Sequence, residues 1–371
     1  MIIGIDARPL TQLRNGMRNY SVSLLDALAK IDKKNKYILY VNDYPVSNLN
    51  NFGVRVVKVK PFLSKIFFLT HYLSVDKVDV LHSLAFALPI PLPTMKKCKF
   101  VVTIPDLGFE ICPSWVSAKE YSYWTITTRL AAFSANRIIA ISDNTKKDIM
   151  HFYKIPENKI SVTHCGVSEI FKPVNNLEAL EQCMKKYDLP PDFILYVASL
   201  HPRKNLVTLL RAFSRFKKDC NIKQKLVIEG VEPSTNLAVI TEKLNIKNDV
   251  IYIKNCLHED LPLLYNLAQF SVYPSLYEGF GLPPLESMAC GTPVIASNSS
   301  SIPEVVGDAG ILVDPCNEGE LAHAIYNLST DGNLRSKLSR SGLQRSKLFT
   351  WERTAKETIA VYNEVLDDKK S

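Results

Sequence analysis

Short runs of β-branched and apolar residues recur along the chain, and longer stretches with helical apolar spacing lie between many of them. In the first half, MIIGID, KYILYV, VRVVKV, VDVLHS, KFVVTI, RIIAIS and ISVTH predict strands. In the second half, FILYVAS, QKLVIEG, VIYIK, FSVYPS, PVIAS and GILVD do the same. Helical spacing fills residues 20–31, 143–153, 206–217 and 234–244, and the chain closes on WERTAKETIAVYNEVL. This alternation predicts an α/β protein whose parallel sheets carry helices on both faces. The pattern falls into two blocks, broken at FKPVNNLE, where a proline and paired asparagines interrupt it. Two doubly wound, Rossmann-like domains facing each other across a cleft are therefore expected. They should cover residues 1–172 and 173–350, with 351–371 as a C-terminal helix. Ligands of open α/β sheets bind outside the carboxyl ends of the strands, so the loops after the strands are where chemistry is sought.

The length of 371 residues suits two domains of ordinary size, and 46% hydrophobic with 22% charged residues suits full cores. The eight cysteines are scattered, with no CxxC pair and no zinc-ligand spacing. They read as small buried hydrophobes in a reducing cytoplasm. MIIGIDARPL reads as a first strand rather than a signal peptide, and no run of about 18 apolar residues predicts a membrane span. A cytoplasmic location is expected. The net charge of +8 is unevenly placed: residues 1–173 hold 23 Lys and Arg against 13 Asp and Glu, and the remainder 22 against 24. A basic first half fits an anionic partner, either a phosphorylated acceptor or an acidic membrane surface at which the protein is peripheral, and equally a solvated basic face. No recognised nucleic-acid motif or basic tail accompanies it, so nucleic acid is not expected as a partner.

The densest chemistry lies in YEGFGLPPLES. Glu278 and Glu286 stand eight residues apart, flanking Gly279, Gly281, Pro283 and Pro284. The spacing puts Glu278 in a turn after a strand and Glu286 in the first turn of the following helix. A helix N-terminus favours a phosphate, bare glycine backbone lets a ligand come close, and two carboxylates accept hydrogen bonds from sugar or ribose hydroxyls. An ordinary strand–turn–helix with a capping glutamate has the same pattern. In YVASLHPRKNL, Arg203 and Lys204 stand between a strand and a helix opening near Asn205, a plausible clamp for a diphosphate or simply two solvated charges. After the first strand, Gly16 precedes a helix expected from Arg18 or Asn19. Asp106, in TIPDLGFE, follows a buried strand and is a catalyst or a helix cap. His82 reads as a satisfied structural group. PFLSKIFFLTHYL aligns Phe62, Ile66, Leu69 and Leu73 on one face, a core helix or a membrane-surface helix. There is no Asp-x-Asp pair, no HExxH and no ordered His/Cys cluster, so no catalytic metal and no cofactor is expected. GFG lacks the third glycine of a dinucleotide fingerprint.

Taken together, these segments resemble the retaining glycosyltransferases of the GT-B fold, in the large family-four group. Among these, the chain is most similar to bacterial mannosyltransferases of polysaccharide and O-antigen assembly. The likeness runs through IDARPL, NGMRNY, DVLHS, TIPDL, IAISDNTKKDI, VASLHPRKNL, the stretch YNLAQFSVYPSLYEGFGLPPLESMACGTPVIASNSSSIPEVVGDAGILVDP and FTWERTA. The resemblance implies that Glu286 holds the ribose hydroxyls and Glu278 faces the donor sugar. It implies that the backbone of Gly279, Phe280 and Gly281, with Leu282, contacts the sugar and diphosphate. Arg203 and Lys204, beside Ser199, would neutralise the diphosphate, and Gly16 would approach it from the N-terminal domain. With Asp106 from the loop after its strand, the expected catalytic set is Glu278, Asp106, Arg203 and Lys204. The N-terminal domain would bind the acceptor, and the last helix would cross back onto that domain.

Three positions depart from the family pattern. Pro105-Asp106 replaces a His-Asp pair, Ala198-Ser199 replaces Gly-Arg, and Cys165-Gly166-Val167 replaces Asn-Gly-Val. Proline offers no side-chain donor. The expected activity is metal-independent hexose transfer from a nucleotide sugar, GDP-mannose first and a UDP-sugar second, to a lipid-linked or polysaccharide glycan. A nucleotide-sugar-binding partner with weak turnover, and a phosphorylase or epimerase on a similar fold, are the other readings.

Overall fold

The strand runs assemble into two parallel sheets in a computed structural model of the chain, which describes residues 1–11, 16–41, 52–56, 72–84, 86, 98–219, 223–230, 235–254 and 256–367. The chain divides into two compact units, residues 1–166 with 350–371, and residues 167–349. The first boundary falls six residues before the expected 172/173 step. Val167 already belongs to the second unit, where its N–H donates to the Phe349 carbonyl at 3.0 Å.

The sheet of the first unit runs β3 (Gly53–Val56), β2 (Lys36–Val41), β1 (Ile2–Asp6), β4 (Val80–Ser83), β5 (Lys99–Ile104), β6 (Arg137–Ala140), β7 (Ile160–Val162). The sheet of the second unit runs β10 (Val250–Ile253), β9 (Lys225–Glu229), β8 (Phe193–Val197), β11 (Phe270–Tyr273), β12 (Val294–Ser297), β13 (Ile311–Val313). Every pairing among the described residues is parallel. Strands covered on both faces need apolar residues on both, which is why these segments read as continuous rather than alternating runs. Phe193, Ile194, Leu195 and Tyr196 of β8 are all fully buried. In each sheet the strand order reverses beside the unit's first strand, between β1 and β4 and between β8 and β11. That reversal leaves a crevice at the carboxyl ends, because the connections on either side leave in opposite directions.

The terminal helix Trp351–Asp367 belongs to the first unit and is tied to it by polar contacts. The Thr354 hydroxyl donates to the His164 carbonyl at 2.6 Å, and the Tyr362 hydroxyl lies 2.7 Å from His82 Nδ1. His82 Nε2 lies 2.8 Å from Thr103 Oγ1, and burial pushes the imidazole down to about 3, so it stays neutral. The glycine at 166 has a packing reason: a Cβ there would stand 2.1 Å from the Trp351 nitrogen. The helix after β1 begins at Gly16 rather than at Arg18 or Asn19. Of the apolar segment 61–73, residues 61–71 lie outside the described residues, and Leu73 is buried. Among the described residues no helix is long and apolar enough to cross a membrane.

Candidate active site

The loops that follow β8 and β11 flank the reversal point of the second sheet, and they carry the cations and the first glutamate. After β8, a single turn of 3-10 helix, Pro202–Lys204, ends on Asn205 in the left-handed conformation (φ 59°). The Asn205 amide donates to the carbonyls of Pro274 and Pro315, at 3.1 and 2.7 Å. The Arg203 carbonyl accepts the Leu276 N–H at 2.7 Å and the Ser275 hydroxyl at 2.9 Å. These bonds join the two loops, so Arg203 and Lys204 meet Glu278 across them.

Glu278 is buried. Its Oε1 accepts three donors: Lys204 Nζ at 2.6 Å, the Ser275 hydroxyl at 2.5 Å and the Tyr273 hydroxyl at 3.0 Å. Arg203 Nη1 stands 4.0 Å from Oε2. Burial alone pushes a carboxyl up, but Lys204 and then Arg203 outweigh it and hold Glu278 at about 2. The carboxylate is therefore ionised at any working pH. Oε2, the less engaged oxygen, is the one able to accept a ligand hydroxyl. Lys204 is not free to serve a diphosphate alone, because it also neutralises Glu278.

Three consecutive serines after β12 hold the glycine loop. The Ser299 hydroxyl donates to the Leu276 carbonyl at 2.8 Å, the Glu278 N–H donates to Ser300 Oγ at 2.9 Å, and Ser301 donates to the carbonyls of Glu278 and Phe280 at 2.9 and 2.8 Å. The Phe280 ring is buried against Phe349 (centroids 5.7 Å apart), so it packs into the core of the unit. Gly281 has φ 121°, and a Cβ there would meet Ile302 Cδ1 at 2.8 Å, so the chain can turn into the next helix only through glycine. That helix is Leu282–Ala289, so Glu286 lies in its second turn rather than its first.

Glu286 sits in different surroundings. Its Oε2 accepts the Tyr265 hydroxyl at 3.3 Å. Burial pushes it up to about 7, and the negative charge of Glu229 adds to the shift. Glu229, the last residue of β9, is likewise pushed to about 7 by burial. Ser199 is exposed beyond β8, with its carbonyl accepting the His201 N–H at 2.9 Å. Asp106 and Gly16 belong to the first unit: Asp106 Oδ1 accepts the Gly108 N–H at 3.0 Å, and Gly16 is exposed with open space around its Cα. Sequence reasoning missed Tyr273, Ser275, Tyr265, Glu229 and the serine run. Only the serines carried a signal, three in a row one residue beyond a strand.

Two family models match the chain: Glycosyltransferase Family 4 over residues 14–169 and Glycosyl transferases group 1 over residues 181–345. The O-antigen chain mannosyltransferase B of Escherichia coli is 32% identical over 265 residues, covering 71% of this chain and 69% of that protein. Among solved structures, sucrose-phosphate synthase from Thermosynechococcus elongatus superimposes with a TM-score of 0.81 at 20% identity, covering 99% of both chains. HepE from Anabaena, solved with UDP-glucose, gives 0.73 at 15% identity, covering 97% of this chain and 99% of its own. The chain belongs to the group 1 glycosyltransferases, and its two Rossmann-like parallel-sheet units are those of the GT-B fold.

Proposed function

We propose that the chain transfers a hexose, mannose from GDP-mannose, to a lipid-linked or polysaccharide glycan with retention of anomeric configuration. The observation that carries this reading is the Glu278 carboxylate held between Arg203 and Lys204 at the reversal of the second sheet. One such site offers an acceptor to sugar hydroxyls and cations to a diphosphate. Glu286, one helical segment further, would take the ribose diol. The mannosyltransferase relative supports the sugar, and the likeness to a fold solved with UDP-glucose favours a UDP-sugar as the second reading.

In the reaction, the bond from sugar C1 to the diphosphate oxygen breaks and a bond from C1 to the acceptor oxygen forms on the same face. The acceptor proton passes to the departing diphosphate oxygen. Negative charge grows on the diphosphate as the first bond breaks. Arg203, Lys204 and the start of the Leu282–Ala289 helix would stabilise it, in a role that other enzymes give to a metal ion. Glu278, already ionised, would fix the sugar. Pro105 supplies no side-chain donor, and its carbonyl is occupied by the Thr145 hydroxyl at 3.1 Å.

The acceptor reading includes a peripheral position at the inner face of the cytoplasmic membrane. Its support is the helix Ala118–Ser134, on which Ile126, Leu130 and Phe133 are 57%, 55% and 53% exposed. Arg129 stands over the Phe133 ring at 6.0 Å, and Lys159 Nζ donates to the Phe133 carbonyl at 2.8 Å. The unit that bears this helix holds 26 Lys and Arg against 17 Asp and Glu, whereas the other holds 19 against 20. An apolar stripe beside cations suits an anionic bilayer.

The test is transfer by the purified protein from GDP-mannose and from UDP-glucose to lipid-linked glycan acceptors, with the product anomer read by NMR. Mannose transfer with retention, undiminished by EDTA, is expected. Donor binding without turnover on any acceptor, or an inverted product, overturns the reading.

A further inference from the structure

Glu229 is a carboxylate that the proposed reaction does not use, and its position is unusual for an unused acid. It ends β9 at the carboxyl edge of the second sheet, in register with Val197 of β8, whose loop carries Arg203 and Lys204. Its backbone is fixed there, because the Ala198 N–H donates to its carbonyl at 3.1 Å. The following Gly230 has φ 83° and lies so close to β8 that a Cβ would come within 2.9 Å of the Ala198 carbonyl oxygen. The side chain is half-buried, yet among the described residues its carboxylate has no hydrogen-bond or ion-pair partner. Its charge is felt by Glu286 on the Leu282–Ala289 helix, by Tyr265 on the helix Leu261–Leu267 and by Cys256 in the loop after β10. In the sheet order β9 and β11 flank β8, so Glu229 lies on the opposite side of β8 from the Glu278 loop, on the side where Glu286 and Tyr265 feel its charge.

We propose that Glu229 reads the base of the donor nucleotide, accepting hydrogen bonds from the N1–H and the exocyclic N2 amine of guanine. This rests on the reading that Glu286 binds the ribose. With the diphosphate at Arg203 and Lys204 and the ribose at Glu286, the base extends from that ribose into the region of β9 and β10. A carboxylate is acceptor-only, so it suits a base edge that presents adjacent donors. Guanine presents two, side by side, matching the two carboxylate oxygens. Uracil presents one N–H between two carbonyl oxygens, which a carboxylate repels. The bonds are charge-assisted, and the cost of leaving a half-buried acid beside Glu286 without a donor falls on every wrong base.

The test is calorimetry with GDP, IDP and UDP on the wild type, on Glu229→Gln and on Glu229→Ala, with circular dichroism confirming that each variant is folded. IDP is GDP without the N2 amine. The wild type should bind GDP about tenfold or more tighter than IDP, as expected for one lost charge-assisted bond, and tighter still than UDP. In both variants GDP and IDP should converge, while UDP changes less than about threefold. Equal GDP and IDP affinity in the wild type, or a GDP-to-IDP ratio that survives in Glu229→Ala, overturns the assignment. Glu286→Ala tests the underlying reading separately, since it should weaken all three nucleotides in parallel. If GDP and IDP are distinguished through Glu229 but Glu286→Ala binds normally, the ribose reading fails and base selection stands. A wild type that binds none of the three overturns both.

Discussion

Glu278 and Glu286 share one loop and helix, yet their protonation behaviour is opposite, and the difference follows from their neighbours. Glu278 has three donors on one oxygen and two cations beside it, whereas Glu286 has one phenol and a second acid. Glu278→Gln removes the charge that Lys204 neutralises while keeping the shape. Transfer should fall about 10²–10³-fold, with GDP affinity within about threefold in calorimetry. Parallel loss of both would reassign Glu278 to nucleotide binding. For Glu286 and Glu229 the folded carboxyls are raised from 4.5 to about 7. The groups facing them are each other, Tyr265, Cys256 and Cys290. A raised acid contributes stability that is full below its unfolded value and lost as pH rises through about 7. The free protein should therefore melt at lower temperature at pH 8 than at pH 5.5. In the proposed site the nucleotide's hydroxyl and N–H donors pair with ionised Glu286 and Glu229, so GDP affinity should rise about tenfold per required carboxylate from pH 6 to pH 8. A flat calorimetric profile across that range would count against ionised acids in the site. The spacing of the two glutamates and the RKN cations were readable in sequence. The Lys204–Glu278 pairing was not, because it joins residues 74 apart and depends on their two loops being held together through Ser275, Leu276 and Asn205.

At the scale of elements, the strands were legible because a buried parallel strand must be apolar on both faces, and each of the thirteen strands among the described residues falls on one of the expected runs. The helix Ala118–Ser134 gave no such signal. Its start is set by a capping box between Ser117 and Glu120, but apolar residues surround its axis, so no single stripe marks it. Thr128, Ala131 and Ala132 face the core, and Ile126, Leu130 and Phe133 face outward. An outward apolar row on a basic unit predicts binding to vesicles containing anionic phosphatidylglycerol and weaker binding to neutral phosphatidylcholine. The double variant Ile126→Asp/Leu130→Asp should lose more than about tenfold in cosedimentation with anionic vesicles, since each carboxylate opposes both insertion and the surface charge. GDP affinity should be unchanged, because the helix lies in the unit that does not carry Glu278 or Glu286. Equal sedimentation of wild type and variant would remove the helix from any membrane role.

Across the whole molecule, the chain leaves its first unit at Gly166 and returns to it at Thr350, so residues 167–349 form an insertion with its own sheet and core. Arg203, Lys204, Glu278 and Glu286 all lie within that insertion. The division into two blocks was visible in sequence, but its position was not, because the step depends on single close approaches. Val167 bonds to Phe349, and Gly166 packs so tightly on Trp351 that no side chain fits. The last helix fills the first unit through Thr354, Thr358 and Tyr362, all fully buried. Deleting residues 350–371 should therefore expose His82 and the face of the helix Gly16–Ile31 that packs on it, and unfold the first unit. Tyr362→Phe is the milder version: it leaves His82 Nδ1 without its partner, at a cost of about 1–3 kcal/mol in urea unfolding. Residues 167–349 expressed alone should, by contrast, fold cooperatively and bind GDP within about threefold of the full chain, without transferring sugar. Loss of GDP binding in that fragment, with its circular dichroism intact, would require the nucleotide site to draw on residues of the first unit.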